Sequence, residues 1–378
     1  MNKKSALATF WCLLLLATPG SGQSQPRRYL KIGYIADLTG IGAFFSVQAQ
    51  RGITLAKEHV SGSDLLHGAQ LDVVVEDIAG KVPNAVSAAM KLIDQDHVDA
   101  LICDLTGPCS AIAKKVANSN VVLIYHSPAS SISATHKQSF RNFLDYDAAC
   151  QKMAQYWKVQ GHKVIGSLNA NLEFGQRCYE GVERVFSQHY SYRNNPGDDL
   201  RTAPLEFKKR LIEQVIFTGY ENDFLSWLKF SAAQNVPIES GFIDLLATES
   251  LWNHLGKIPL KGITAGFDFV PSEFQERVRG RFHITEDAGA PATALGYNAV
   301  RSLAEAFSNC ASGDLRCMTD QLHKSRSGYL LGFRGWGGDG PEYPVILKRV
   351  NGRQLERLPF DEKLDNNKTE RTAGGRSL

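Results

Sequence analysis

The chain reads as an α/β protein of two doubly wound, Rossmann-like lobes, and three features predict it. Short apolar runs of strand length alternate with stretches whose apolar residues recur at helical spacing, the pattern of a parallel sheet covered by helices on both faces. The alternation comes in two series, one starting near residue 29 and one near residue 145. The 378 residues suffice for about two domains of roughly 100 to 200 residues each.

The first unit sets the pattern. Leu30, Ile32, Tyr34 and Ile35 form a strand, the loop from Asp37 through Thr39, Gly40 and Gly42 to Phe45 follows, and Ala49, Gly52, Ile53, Ala56 and Val60 then recur at helical spacing. Backbone N–H groups and the Thr39 hydroxyl ahead of a helix N-terminus predict that this loop captures a small anion. Strands follow at 70–75, 100–103 and 121–125, separated by helices at 84–95 and 110–118. The second series runs helix 145–160, strand 163–168, helix 174–188, strand 214–217, helix 222–234 and strand 240–244. A strand at 262–267, a long helix at 290–308 and an antiparallel strand at 343–350 close the fold, the last ending in the Asn351-Gly352 turn. The polar tail 361–378, with Gly374-Gly375, is expected to be disordered.

Composition narrows the function. Lys and Arg number 42 against 39 Asp and Glu, a net charge of +3, and the basic residues are scattered rather than striped, which excludes a nucleic-acid partner. At the start, Asn2-Lys3-Lys4, the apolar run 8–17 and Gly20-Ser21-Gly22 form the three parts of a secretory signal over residues 1–22. No later run reaches the roughly 18 apolar residues of a membrane span, so a soluble, exported protein is expected. Cys12 leaves with the signal. The remaining cysteines are Cys103, Cys109, Cys150, Cys178, Cys310 and Cys317, an even set in an oxidising compartment, which points to disulfides. Cys310 and Cys317 bracket a short polar loop and are expected to pair, while Cys103 with Cys109, or Cys150 with Cys178, await geometry.

Nothing in the sequence asks for a cofactor, a metal or a catalytic residue. Cys-x-x-Cys and clustered histidines are absent. A dinucleotide loop would need a third glycine where Phe45 stands. A hydrolase built from Ser127, His126 and Asp104 lacks Gly-x-Ser-x-Gly, and neighbours on one turn do not readily face each other.

The segments Ile35-Ala36-Asp37-Leu38-Thr39-Gly40, Gln50-Arg51-Gly52-Ile53, Ala89-Met90-Lys91-Leu92-Ile93-Asp94, Glu173-Phe174-Gly175-Gln176 and Gly296-Tyr297-Asn298-Ala299-Val300 carry a resemblance by their order and spacing. Over about residues 29–350 the chain resembles the periplasmic substrate-binding proteins of ABC importers, of the branched-chain amino acid (leucine/isoleucine/valine) type. The resemblance implies the type I periplasmic-binding fold: residues 28–144 with 268–330 as one lobe, 145–267 with 331–358 as the other. Three hinge crossings, near 142–146, 266–271 and 330–335, would join them around a clamped ligand. It also implies a monomer in the periplasm whose partners are a small-molecule ligand and an inner-membrane ABC permease.

Candidate site residues follow. Thr106-Gly107 ends a strand and opens a helix, and Ser127-Pro128-Ala129-Ser130 does so one unit later, so hydroxyls and N–H groups of both turns could converge on a carboxylate. By the resemblance these turns hold the ligand's α-carboxylate, Ala129 through its backbone alone; the plainer reading is that Thr106, Ser127 and Ser130 are helix caps. Asp244 falls where the resembling proteins place the acid for the ligand's ammonium group, and Leu245-Leu246 follow it where many relatives carry small residues. Phe174 matches an aromatic over the ligand, and Phe45 and Tyr220 match two further wall positions, the alternative being core packing. His126 is unusual beside Ser127 and either packs or narrows the pocket.

The expected function is reversible capture of a small polar solute, an amino acid or related amide or amine, and its delivery to the permease. A sensory ligand-binding protein is the alternative of another class. A third reading is a binder of a non-amino-acid solute for an oxidation pathway, kept open by His126 and Leu245-Leu246.

Overall fold

The computed structural model describes residues 29–360 apart from 312, 326–328, 338, 339 and 342, so the expected signal segment and the polar tail lie outside the described residues. The chain begins β1 (Tyr29–Ala36), α1 (Ala43–Ser61), β2 (Gln70–Asp77), α2 (Val82–Met90), β3 (Ala100–Asp104), α3 (Thr106–Ala117), β4 (Val122–His126), α4 (Ser131–Thr135) and β5 (Ser139–Arg141). These strands lie parallel in the order β2-β1-β3-β4-β5. The chain continues through α5 (Tyr146–Val159), β6 (Gly166–Ala170), α6 (Glu173–Glu183), β7 (Tyr190–Asn194), α7 (Ala203–Lys209), β8 (Gln214–Thr218), α8 (Glu221–Ala233), β9 (Glu239–Ile243), α9 (Glu249–Leu255) and β10 (Gly262–Gly266). After α10 (Ser272–Phe282), α11 (Pro291–Ser308) and α12 (Leu315–Lys324) come the ribbon β11 (Trp336–Gly337) and β12 (Gly340–Pro341), then the hairpin β13 (Ile346–Asn351) and β14 (Gln354–Arg357).

The second sheet has the order β14-β13-β10-β9-β8-β6-β7, with β13 antiparallel to β10. Strands β3, β4, β6 and β8 are buried along their whole length, as strands covered on both faces must be, whereas the edge strand β2 is largely open to solvent. The elements that periodicity did not reveal, α4, β5, β7, α7, α9, α10, α12, β11, β12 and β14, are short or rich in charge, so their apolar repeat is too brief to read.

Helices α10 to α12 belong beside the first sheet although they follow strands β6 to β10 of the second in sequence. Two glycines explain how α11 gets there. A Cβ on Gly52 of α1 would come within 1.8 Å of the Thr293 carbonyl oxygen, and one on Gly296 of α11 within 2.1 Å of the Ala49 carbonyl oxygen. The helices therefore touch backbone to backbone, and any larger residue would push them apart.

The chain passes between the sheets after β5, after β10 and after β12. The ribbon before the last passage lies on the first sheet, where the Trp336 indole N–H donates to the Arg141 carbonyl at 2.8 Å. The first and last passages are tied together: the Tyr343 hydroxyl donates to Asn142 Oδ1 at 2.5 Å, and Asn142 Nδ2 donates to the Leu295 carbonyl of α11 at 3.0 Å. Asn142 is fully buried. Tyr343→Phe would strand its Oδ1, so urea unfolding should show a loss of about 1–3 kcal/mol; unchanged stability would mean the hydroxyl carries no load.

All three cysteine pairs are joined: Cys103–Cys109, Cys150–Cys178 and Cys310–Cys317, with Cα separations of 5.7, 5.2 and 5.7 Å. One expectation fails. The β1–α1 loop does bind anions through its N–H groups, but they are the protein's own. Asp37 accepts from the Gly42 and Gly80 N–H groups at 2.7 and 2.6 Å, and Asp77 accepts from the Leu38 N–H at 2.9 Å and the Thr39 hydroxyl at 2.7 Å. The loop's donors are spent on fixing its own shape.

Candidate functional site

In a doubly wound sheet the strand-to-helix turns at the carboxyl ends of the strands are free of the packing core, so ligands gather there. The carboxyl ends of both sheets face one cleft. Its inner chamber, about 70 Å³, is enclosed by the β3–α3 and β4–α4 turns on one side and the starts of α6 and α8 and the end of β9 on the other. An outer chamber of about 300 Å³ lies beside the second passage of the chain, and Phe44, Phe45 and Leu245 stand between the two.

Five of the residues singled out from the sequence meet at the inner chamber: Phe45, Thr106, Ser127, Phe174 and Tyr220. Thr106 and Ser127 come together directly, their hydroxyl oxygens 2.8 Å apart, and the Ser127 oxygen also accepts from the Ala129 N–H at 3.1 Å. The turn that presents Thr106 is forced. Leu105 continues the ladder by donating to the His126 carbonyl, then takes φ +69° and ψ 148°, which costs an ordinary residue about 1–3 kcal/mol. The Cys103–Cys109 disulfide brackets this residue and holds the bend. No side chain caps the N-terminus of α3; Pro108 has no N–H and the Cys109 N–H returns to the Leu105 carbonyl, which leaves the Thr106 and Gly107 N–H groups as its open donors.

The walls are aromatic. Phe45, Phe143, Tyr146, Phe174 and Tyr220 form a chain of edge-on and tilted rings, each 5.9–6.0 Å from the next. Burial pushes the Tyr146 and Tyr220 hydroxyls above the usual phenol range, with Asp244 adding to the effect at Tyr146 and Asp223 and Asp37 at Tyr220. Both are therefore neutral donors at pH 7. Leu245 and Leu246 complete the lining.

Three residues named from the sequence lie outside both chambers' linings. Gly107 is exposed on the far side of its turn, Ala129 is fully buried behind Pro128 with its carbonyl taken by the Tyr125 hydroxyl at 2.8 Å, and Ser130 begins α4. His126 does line the inner chamber, yet its ring is committed. Nδ1 lies 2.8 Å from Asp104 Oδ1, both side chains wholly buried, and Nε2 lies 3.0 Å from the Asn142 amide nitrogen. Neither ring nitrogen bonds the Ser127 hydroxyl, whose partners are Thr106 and the Ala129 N–H, so Asp104, His126 and Ser127 do not assemble as a nucleophilic triad.

Asp244 faces the outer chamber and already has its cation. Lys348 Nζ lies 2.7 Å from Asp244 Oδ2, and the two side chains are 3% and 1% exposed. Burial raises the Asp244 carboxyl above the ordinary range, and the Lys348 ammonium opposes that shift. The sequence reading missed Lys348; its signal was a lysine inside the apolar strand Val345-Ile346-Leu347, where a buried charge requires a partner. Phe143 and Tyr146 were also missed, because Phe143 lies in the connection between the sheets and Tyr146 is the first residue of α5, where no periodic pattern singles them out.

Two α/β lobes with one cleft between the carboxyl ends of their strands define a bilobal solute-binding protein. The chain belongs to the periplasmic binding protein family, whose model matches residues 29–340. Its fold is similar to that of a leucine-binding protein, LivK, from Thermotoga maritima, with 18% identity, 88% of this chain and 99% of that one covered, and a TM-score of 0.79. It is also similar to the branched-chain amino acid binding protein LivJ from Streptococcus pneumoniae, solved with isoleucine, at 16% identity, 88% and 99% coverage and a TM-score of 0.78. A solute-binding protein of an ABC transporter from R. palustris, solved with benzoate, matches at 17% identity, 87% and 95% coverage and a TM-score of 0.77. No curated protein sequence matches the chain. Members of this family bind solutes for ABC transporters rather than transform them.

Proposed function

We propose that this protein captures a small carboxylate with an apolar or aromatic body and no amine, closes its lobes over it and hands it to an ABC permease. The observation that carries this reading is the Asp244–Lys348 pair, which gives the most deeply buried acid of the cleft a cation of the protein's own in place of a ligand ammonium. The rest agrees. The Thr106 and Ser127 hydroxyls, the open α3 N-terminus and the two neutral phenols are donors suited to a carboxylate, and the ring wall and Leu245-Leu246 suit an apolar body. The R. palustris neighbour solved with benzoate takes a ligand of this class.

A ligand ammonium brought to Asp244 would stand close to the Lys348 ammonium as well. Two like charges about 5 Å apart repel by about 3 kcal/mol at an effective dielectric of 20. An amino acid, related amide or amine is the second reading, supported by Asp244 Oδ1, which has no partner at ideal hydrogen-bond geometry. In either case one chain supplies both walls, so the protein works as a monomer, exported to the periplasm, with no cofactor and no catalytic step.

Thermal-shift measurements with benzoate, 4-hydroxybenzoate, 4-methylpentanoate, leucine and isoleucine test this, because a ligand bound only by the folded state raises the melting temperature. The acids should raise it and the amino acids should not; the reverse order would reject the reading. Phe174→Ala should then weaken the best acid by roughly tenfold or more, since it removes a central ring of the wall. Loss of uptake of that acid on gene deletion separates a transport role from a sensory one.

A further inference from the structure

Lys348 lies on β13 opposite Thr264 of β10, and its ammonium sits 4.5 Å from the centre of the Phe269 ring as well as 2.7 Å from Asp244. Asp244 cannot retreat from this position. It lies on the backbone of Gly266, where a Cβ would come within 1.8 Å of its Cγ, so the carboxylate is pressed into the space that glycine leaves. Its Oδ1 is buried and has no partner at ideal hydrogen-bond geometry, while the Phe267 and Leu245 backbone N–H groups direct weaker hydrogen bonds at the carboxylate. Of the other acids lining this chamber, Asp268 pairs with Arg357, Asp287 accepts from the Glu249 N–H at 3.0 Å, and Glu249, less buried than Asp244, makes no ion pair among the described residues. Asp244 and Lys348 thus present a neutral pair to the cleft.

We propose that Lys348 is a built-in counter-cation that sets the ligand class: it occupies the electrostatic place a ligand ammonium would take and so excludes amines and amino acids from the cleft. This deepens the reading given above and rests on it. The mechanism is charge bookkeeping at one buried acid. With Lys348 present, a ligand amine adds a second cation beside the first and is repelled. With Lys348 made neutral, Asp244 is left as an anion in a dry site and its most favourable partner is a cation brought in by the ligand. Asp244 then becomes a recognition group, and Oδ1 supplies the acceptor.

The test compares matched ligands that differ only in the amine: leucine against 4-methylpentanoate, and phenylalanine against 3-phenylpropionate, by calorimetry at neutral pH. The wild-type protein should favour each acid over its amino acid by roughly tenfold or more. Lys348→Met and Lys348→Gln should shift the ratio toward the amino acid by roughly tenfold or more, and Asp244→Asn combined with Lys348→Met should abolish that shift. A folded Lys348 variant with an unchanged ratio overturns the inference. Should neither variant fold, the wild-type ratios decide, and a wild type that prefers leucine or phenylalanine overturns it. A wild type that binds none of the four removes the proposed ligand class, while Lys348 is still judged separately by whether its variants gain amino acid binding and lose it again with Asp244→Asn.

Discussion

At pH 7, Lys348→Met should unfold about 3–5 kcal/mol more easily than the wild type in urea, the range expected when one partner of a buried ion pair is removed. The methionine keeps most of the stem, so little of this comes from packing. The loss arises because Asp244, 4% exposed, must then hold its charge without a counter-ion or take up a proton. The deficit should depend on pH in one direction. Burial already holds the Asp244 carboxyl above its ordinary value, and the variant removes the ammonium that opposes this. A carboxyl with a raised folded-state pKa binds its proton more tightly in the folded chain than in the unfolded one, so it favours folding at low pH and the benefit is lost as pH rises through the folded-state value. The deficit is therefore largest near neutrality and shrinks as pH falls toward the usual carboxylate range near about 4. A deficit that does not change between neutral and mildly acid pH would show that Asp244 is not its source. Asp244→Asn in the same background should recover part of the loss at neutral pH and flatten the pH dependence.

Replacing Cys150 and Cys178 together by alanine should cost about 3–4 kcal/mol by the chain-entropy estimate for a loop of this length. The two residues are separated by 28 positions and join α5 to α6, the first two helices of the second series. Both sulfurs are fully buried, so no solvent contact replaces the lost bond. The α5–α6 contact is close for a second reason: a Cβ on Gly181 would come within 2.2 Å of the Asp147 carbonyl oxygen, leaving little freedom to repack. The effect should reach the cleft, because α5 begins at Tyr146 and α6 carries Phe174, neighbours in the ring wall. Calorimetry should therefore find weaker ligand binding along with the lower melting temperature. The same exchange at Cys310 and Cys317, which close a loop of separation 7 away from the chambers, serves as the comparison and should leave affinity unchanged.

Much of the cleft could be read before any coordinates existed. Thr106 and Ser127 stand at strand-to-helix turns, which alternating strands and helices put at one end of a parallel sheet, whereas Phe45, Phe174 and Tyr220 were expected in the wall only through the family resemblance. The inference for the two turns needs only local periodicity. It fails where the outcome depends on competition between partners. The anion expected at the β1–α1 loop turned out to be Asp37 and Asp77, since a carboxylate from the chain occupies N–H donors more readily than a free solute can. Ala129 and Gly107 sit in the right turns but on the wrong side of them, a matter of side-chain direction rather than spacing.

By itself the sequence determined the class of fold, the end of each sheet at which a ligand is met and the cysteines available for bonding, because these follow from the period of the apolar residues and from residue types that act locally. Only the tertiary structure decided the charge of the site. Asp244 and Lys348 are 104 positions apart and meet because β13 reverses to lie against β10, which places a lysine opposite an acid two strands away. Whether a buried carboxylate seeks a cation from the ligand or already has one is a question of distance, and distances between remote residues exist only once the chain has folded.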